Sequence, residues 1–238
     1  MSQLHVRAEP GSLAPDVLLP GDPDRATLIA ENLLDSPLLY NEHRHLLGYT
    51  GGYRGLAVSV QSTGMGCPSL AIVVEEVVRL GAKRLVRIGT CGAISPDVAP
   101  GDLVVATASV ANEGTTRQYL GGDGYAPAAD FALTTALHAA AIRTGRRTHT
   151  GLIRTDDAFY AVTPEHVPDM AARGVLAVEM EASALFTLAA LRGVQAGCIL
   201  VASNNIGDDR LLEAEALRAG VLDMVTAALE ALRELSEV

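Results

Sequence analysis

The chain has 238 residues, 49% of them hydrophobic, and carries 28 acidic against 18 basic side chains for a net charge of −10. That length and apolar content fill one substantial core, no linker-like stretch divides it, and the acidic balance argues against a nucleic-acid or anionic-membrane surface. Met1 to Arg7 lack an apolar signal core and no apolar run approaches the ~18 residues of a membrane span, so a cytoplasmic protein with a single domain over 1–238 is expected.

In chain order, an apolar run ending at Leu19 gives way to Pro20-Gly21-Asp22-Pro23-Asp24-Arg25, whose apolar positions continue helically through Leu28 and Ile29. Leu56 to Gln61 reads as a strand, Ser62 to Gly66 as a turn, and Pro68 to Leu80 as a helix closed by Gly81. Arg84 to Gly89 is strand-like and ends in the loop Thr90 to Ala93, which completes a βαβ unit of a parallel sheet. Leu103–Val110 and Thr148–Arg154 read as strands around an Ala-rich helix at Phe131–Arg143. Thr163 caps a helix running to about Ala172, and Val175–Val178 is a strand. A helix at Ala182–Leu191, a strand at Gln195–Ala202 and a closing helix at Leu211–Leu235 finish an α/β chain without repeats.

In such folds the loops after strand ends collect functional residues, here after Leu19, Val60, Ile88 and Ala202, with Glu179–Glu181 as a fifth segment. Gly21 and Arg25 open a helix whose backbone N–H groups favour an anion, although an ordinary cap beside a solvated arginine fits the same residues. Arg87 lies inside a strand that should be buried, so it meets either a structural carboxylate or a ligand anion. Glu179 and Glu181 flank Met180 at the end of an apolar run. They read as helix-end charges or as carboxylates that hold vicinal hydroxyls while a thioether packs on a sugar. Phe159-Tyr160 is one of few aromatic clusters, suited to core packing or to stacking on a flat ligand. His5 and Arg44, in polar surroundings, read alone as surface residues. Cys67, Cys91 and Cys198 show no CxxC spacing and no even disulfide set, which points to reduced thiols and no metal site.

Taken together, Gly21-Asp22-Pro23-Asp24-Arg25, Gly64-Met65-Gly66-x-Pro68-Ser69, Arg87-Ile88-Gly89-Thr90-Cys91-Gly92 and Val178-Glu179-Met180-Glu181-Ala182 resemble the nucleoside phosphorylase I family, and most closely its hexameric bacterial purine branch. The resemblance runs along nearly the whole chain. It implies a single α/β domain with a mixed central sheet flanked by helices, and reversible phosphorolysis of purine ribonucleosides without metal or organic cofactor. It assigns phosphate to Gly21, Arg25, Arg87 and Thr90, with Arg44 and His5 reaching in from a neighbouring subunit, His5 toward the ribose. Ribose falls to Met65, Met180 and Glu181 with support from Glu179. The base falls to Phe159, Tyr160, Ser203 and residue 204. The implied partners are a nucleoside, phosphate and further copies of the chain, in a hexamer built as a trimer of dimers.

The chain departs from that pattern at two points. Asn204 stands where much of the branch has an aspartate that protonates the leaving base, and Leu217 takes the place of its helper arginine, with Arg218 one residue and about 100° further round the helix. An amide offers one acceptor and two donors but no full proton, which suits the N7 and O6 of a 6-oxopurine better than adenine. Guanosine and inosine are therefore the expected substrates. A uridine phosphorylase, a hydrolytic nucleosidase and a non-catalytic nucleoside-binding protein are the alternative readings. Thr155 to Tyr160 lacks the glutamine and arginine pair that the uridine enzymes use.

Overall fold

The computed structural model describes residues 3–208 and 211–237; Met1, Ser2 and Val238, at the ends of the expected domain, lie outside the described residues. The chain runs through strand β1 (Asp16–Pro20), helix α1 (Pro23–Leu33), and strands β2 (Asp35–Asn41), β3 (Gly48–Tyr53) and β4 (Leu56–Gln61). Helix α2 (Cys67–Arg79), strands β5 (Arg84–Ala93) and β6 (Leu103–Asn112), helices α3 (Gly114–Tyr119) and α4 (Phe131–Arg143) and strand β7 (Thr148–Asp156) come next. Helix α5 (Val167–Ala172), strand β8 (Ala177–Glu179), helix α6 (Ala182–Arg192), strand β9 (Gln195–Asn205) and helix α7 (Ala214–Ser236) complete the chain.

One mixed sheet has the order β2-β3-β4-β1-β5-β8-β7-β6-β9, and a further pairing of β5 with β9 closes its second half into a five-stranded ring. The length of β5 makes the closure possible. Along one edge Arg84–Ile88 pair with β1 and Gly92–Ala93 with β8, while the other edge pairs throughout with β9. Closure removes the free edges that an open sheet would leave at this end of the molecule. Helices α2 and α6 cover one face, and α1, α4 and α7 the other. Helix α6 is buried from Ala182 to Ala189, as a helix apolar on every side must be.

The expected α/β domain with a mixed sheet is what forms, and the Phe131–Arg143 helix has its expected bounds, capped by the Asp130 side chain on Leu133 N at 2.9 Å. Four details differ. The strand expected to stop at Gly89 continues through Thr90–Ala93, because β8 and β9 pair both its edges there. Strands β4 and β5 are parallel members of one sheet but not neighbours, since β1 lies between them. After Thr163 the chain makes a single tight turn, Pro164–His166, before α5 begins at Val167. The closing helix starts at Ala214, three residues later than expected.

Candidate active site

The ends of β1, β4, β5 and β8 meet around one buried arginine. After β1, Asp22 caps α1 by accepting from Asp24 N at 2.9 Å, Pro23 takes a first-turn position, and Arg25 projects from that turn. After β4, Thr63 N bonds Pro20 O at 2.9 Å, and a Cβ on Gly21 would sit 3.2 Å from Gly64 O. Gly64 and Gly66 have φ of +70° and +86°, backbone that only glycine adopts without strain, and this turns Gly66 N toward Glu181.

Arg87 is held from two sides. Its Nε donates to Glu179 Oε2 at 2.7 Å, and its Nη2 contacts Glu181 Oε2. Glu179 also accepts from Thr155 Oγ1 at 2.6 Å, Glu181 N at 2.8 Å and Ala182 N at 2.9 Å, so it caps α6 while neutralising the arginine. Glu181 Oε1 accepts from Gly66 N at 2.6 Å. Thr155 Oγ1 in turn accepts from Ser183 N at 3.0 Å and lies 2.7 Å from Ser109 Oγ. Both readings of Arg87 are therefore partly met: it has structural carboxylates, and its Nη1 is buried with no partner among the described residues.

The electrostatics reflect this packing. Burial works against the Arg87 charge, but Glu181 and Glu179 outweigh it and hold its pKa above the ordinary arginine value. Burial raises the Glu181 carboxyl, with Arg87 pulling the other way and Glu179 adding to the rise. Arg25 is lowered by burial against the attraction of Asp22, and the charge of Arg87 lowers it further. Two guanidinium groups thus bear on one space, and the donor left over there, Arg87 Nη1, favours an acceptor such as an anion.

The remaining expected residues are spread over several places. Thr90 and Gly92 line the last turns of β5, half-buried, and Met180 is half-buried between the two glutamates with its carbonyl oxygen accepting from Cys67 Sγ at 3.2 Å. Met65 is 83% exposed at the mouth. Ser203 Oγ lies within donating distance of Cys91 O at 3.2 Å and Asn204 Oδ1 at 3.1 Å, and Asn204 Nδ2 donates to Asn205 O at 3.2 Å. Phe159 and Tyr160 pack edge-to-face at 5.1 Å, but at 67% and 93% exposure they form no part of the core. Arg218 turns to Asn32 Oδ1 of α1, 3.4 Å away.

His5 and Arg44 lie elsewhere on the chain. His5 Nδ1 is 2.8 Å from Glu76 Oε1, and Glu76 Oε2 accepts from His5 N and Val6 N. Glu76 is nine residues along α2 from Cys67, about 13 Å from the end of the helix that faces Arg87. Desolvation and then the charges of Arg7, Arg44 and His5 lower the His43 pKa, so these charges lie near His43. Arg44 is exposed at φ +56°, and His45 is next at +60°.

Thr155 and Ser109 were not singled out as site residues by the sequence, although the strand ending in Thr155-Asp156-Asp157 before the aromatic pair marks the place. Cys67 Sγ and carboxylate oxygens of Glu113 and Asp157 lie within 4.8 Å of one another. All three are engaged: burial raises the thiol, which donates to Met180 O, Glu113 caps α3, and Asp157 accepts from Gly114 N at 2.9 Å. The three cysteines are free, and all three are buried. Among the described residues no helix is long and apolar enough to cross a membrane.

The family model described as Phosphorylase superfamily matches residues 15–237. The chain is 44% identical to the purine nucleoside phosphorylase DeoD-type of Caldanaerobacter subterraneus subsp. tengcongensis, over 95% of this chain and 98% of that protein. It is 42% identical to proteins of the same name from Bacillus cytotoxicus and Clostridium perfringens, over 96% of this chain and 97% of each of them. With its arginine and glutamate cluster inside a match that spans nearly every residue, the chain belongs to the phosphorylase superfamily.

Proposed function

We propose that this chain is a purine nucleoside phosphorylase that favours 6-oxopurine nucleosides, taking inosine or guanosine and phosphate to the free base and ribose 1-phosphate. The observation that carries the reading is the unpartnered Nη1 of Arg87, buried beside Arg25 and fixed on its other nitrogens by Glu179 and Glu181. A phosphate dianion supplies the acceptors this donor lacks. On this reading the loop at Gly21 and the hydroxyl of Thr90 complete its cradle.

The placement supports the following chemistry. Glu181, already bound to Gly66 N and Arg87, aligns the ribose hydroxyls while Met180 and Met65 pack on the sugar. A phosphate oxygen then forms a bond to C1′ as the C1′–N9 bond breaks through an oxocarbenium-like state. The electron pair of the broken bond goes to the purine, where a 6-oxopurine spreads it over N7 and O6. The amide NH₂ of Asn204 donates there, and solvent supplies the proton that ends on the base. Phe159 and Tyr160, exposed beside the site, offer faces for base stacking. No step needs a metal or organic cofactor, because phosphate is itself the nucleophile.

His5 and Arg44, both placed away from the arginine centre, serve a neighbour's site rather than their own. On this reading the working form is an oligomer, a hexamer built as a trimer of dimers, in the cytoplasm. The specificity reading is tested by kcat/KM for inosine and adenosine in phosphate, with wild type and Asn204→Asp. Inosine should be preferred and the variant should shift toward adenosine; an adenosine preference in the wild type, or an unchanged ratio in the variant, removes Asn204 as the determinant.

A further inference from the structure

Strand register places a second polar cluster on the same sheet face as Asn204. Asn204 pairs with Gly92, Gly92 with Val178, and Val178 with Arg154, so these four residues form one row across β9, β5, β8 and β7. Directly paired residues point to one face of a sheet, and three strand spacings set Asn204 and Arg154 about 14 Å apart along the row. Between them Gly92 has no side chain. A Cβ there would collide with Ile206 Cδ1 and would touch Val178 Cγ1 at 3.6 Å, so the row has an apolar floor with polar ends.

The far end is built around Asp156, two residues beyond Arg154 and on its face. Arg154 Nε donates to Asp156 Oδ2 at 2.6 Å and its Nη2 to Oδ1 at 3.0 Å, while Asn112, register partner of Asp156, donates its amide to Oδ1. Asp156 is 5% exposed, and with Arg154, Asn112, Ala158 and Ala161 it lines a cavity of about 280 Å³. Ala158 and Ala161 flank Phe159 and Tyr160 directly, so the cavity opens beside the aromatic pair. Thr155, pointing to the opposite face, bonds Glu179, so a single strand serves both the arginine centre and this cavity.

We propose that Asp156, braced by Arg154 and Asn112, reads the edge of the base opposite N7 and O6, and so makes guanosine the favoured nucleoside. The proposal rests on the purine nucleoside reading of the arginine centre. A carboxylate is acceptor-only, and guanine presents two donors on that edge, N1–H and the 2-amino group. Hypoxanthine presents one of these, and adenine presents an acceptor at N1 and no amino group at C2. Asn204 and Asp156 then recognise opposite ends of one flat ring lying over Gly92, Val178 and Ile206.

Guanosine and inosine differ only by the 2-amino group, so their kcat/KM ratio in phosphate isolates this contact. The wild type should favour guanosine by about 10- to 100-fold, the range expected of a hydrogen bond to a carboxylate, and Asp156→Asn should bring the ratio close to one. Calorimetric binding of guanine and hypoxanthine to the wild type needs neither turnover nor a variant, and guanine should bind tighter by a similar factor. Equal binding of the two bases, or an equal fall for both nucleosides in Asp156→Asn, overturns the proposal and leaves Asp156 a structural partner of Arg154. Tighter guanine binding without phosphorolysis would uphold the proposal and refute the enzymatic reading instead.

Discussion

Glu179→Gln isolates the structural half of the arginine centre. The side chain is fully buried, and its two oxygens receive Thr155 Oγ1, Arg87 Nε, Glu181 N and Ala182 N. Glutamine keeps the shape but supplies one acceptor oxygen and turns an NH₂ toward groups that are themselves donors. Its milder orientation faces the NH₂ to Thr155, whose hydroxyl can turn to accept, and the Ala182 N–H then loses its best partner. Arg87 keeps Glu181 but loses half its compensating charge. Removing one partner of a buried pair costs about 3–5 kcal/mol, and the surviving Glu181 contact sets the loss near the lower bound, about 3 kcal/mol. For a chain of this size that is a fall in melting temperature of about 6–12 °C. Differential scanning calorimetry on the variant at neutral pH reads it directly. A cycle with Arg87→Met should show coupling of about 1–3 kcal/mol between the two positions. A melting temperature within about 2 °C of wild type, roughly 1 kcal/mol or less, would refute the view that Glu179 carries the charge of Arg87 and the cap of α6.

The same geometry sets two further outcomes. Burial raises the Glu181 carboxyl against the pull of Arg87, so the folded state holds that proton to higher pH than the unfolded state. The stability this group contributes is therefore complete at low pH and lost as pH rises through the raised value. On the proposed mechanism turnover needs the carboxylate and rises over the same window. A profile of kcat/KM for inosine between about pH 4 and 7 should have its acid midpoint above the usual carboxyl range, and a midpoint within or below that range counts against the assignment. Gly92→Ala drives a methyl group into Ile206, next to the end of β9 that carries Asn204. It should destabilise by about 1–3 kcal/mol and raise KM for nucleoside more than for phosphate; an equal rise in both would place the disturbance elsewhere.

Helices and their caps were legible because they are written locally. Asp130 before Phe131–Arg143 and Pro23 after Asp22 mark helix starts, and an apolar period of 3.6 marks the helix bodies. Strands β2 and β3 were not, since β2 is largely exposed and holds Pro37, and β3 carries Gly51 and Gly52. The end of β5 looked like a loop because Cys91 and Gly92 are small and turn-like; Ile206, packed over Gly92 from just beyond β9, is what makes glycine fit there. Ring closure through β5 and β9 depends on pairing partners that no local pattern reveals. At the site, the residue types were readable and the division of labour was not. Arg87 was seen to need a carboxylate or an anion, but the sequence did not show that Glu179 and Glu181 leave one nitrogen unpaired.

The central claim is that this arginine centre holds the phosphate that attacks the ribose, and the product of inosine cleavage tests it most directly. Incubation with and without phosphate, with the sugar product identified, should give hypoxanthine and ribose 1-phosphate in equal amounts only when phosphate is present. Free ribose formed at the same rate in its absence would contradict the account.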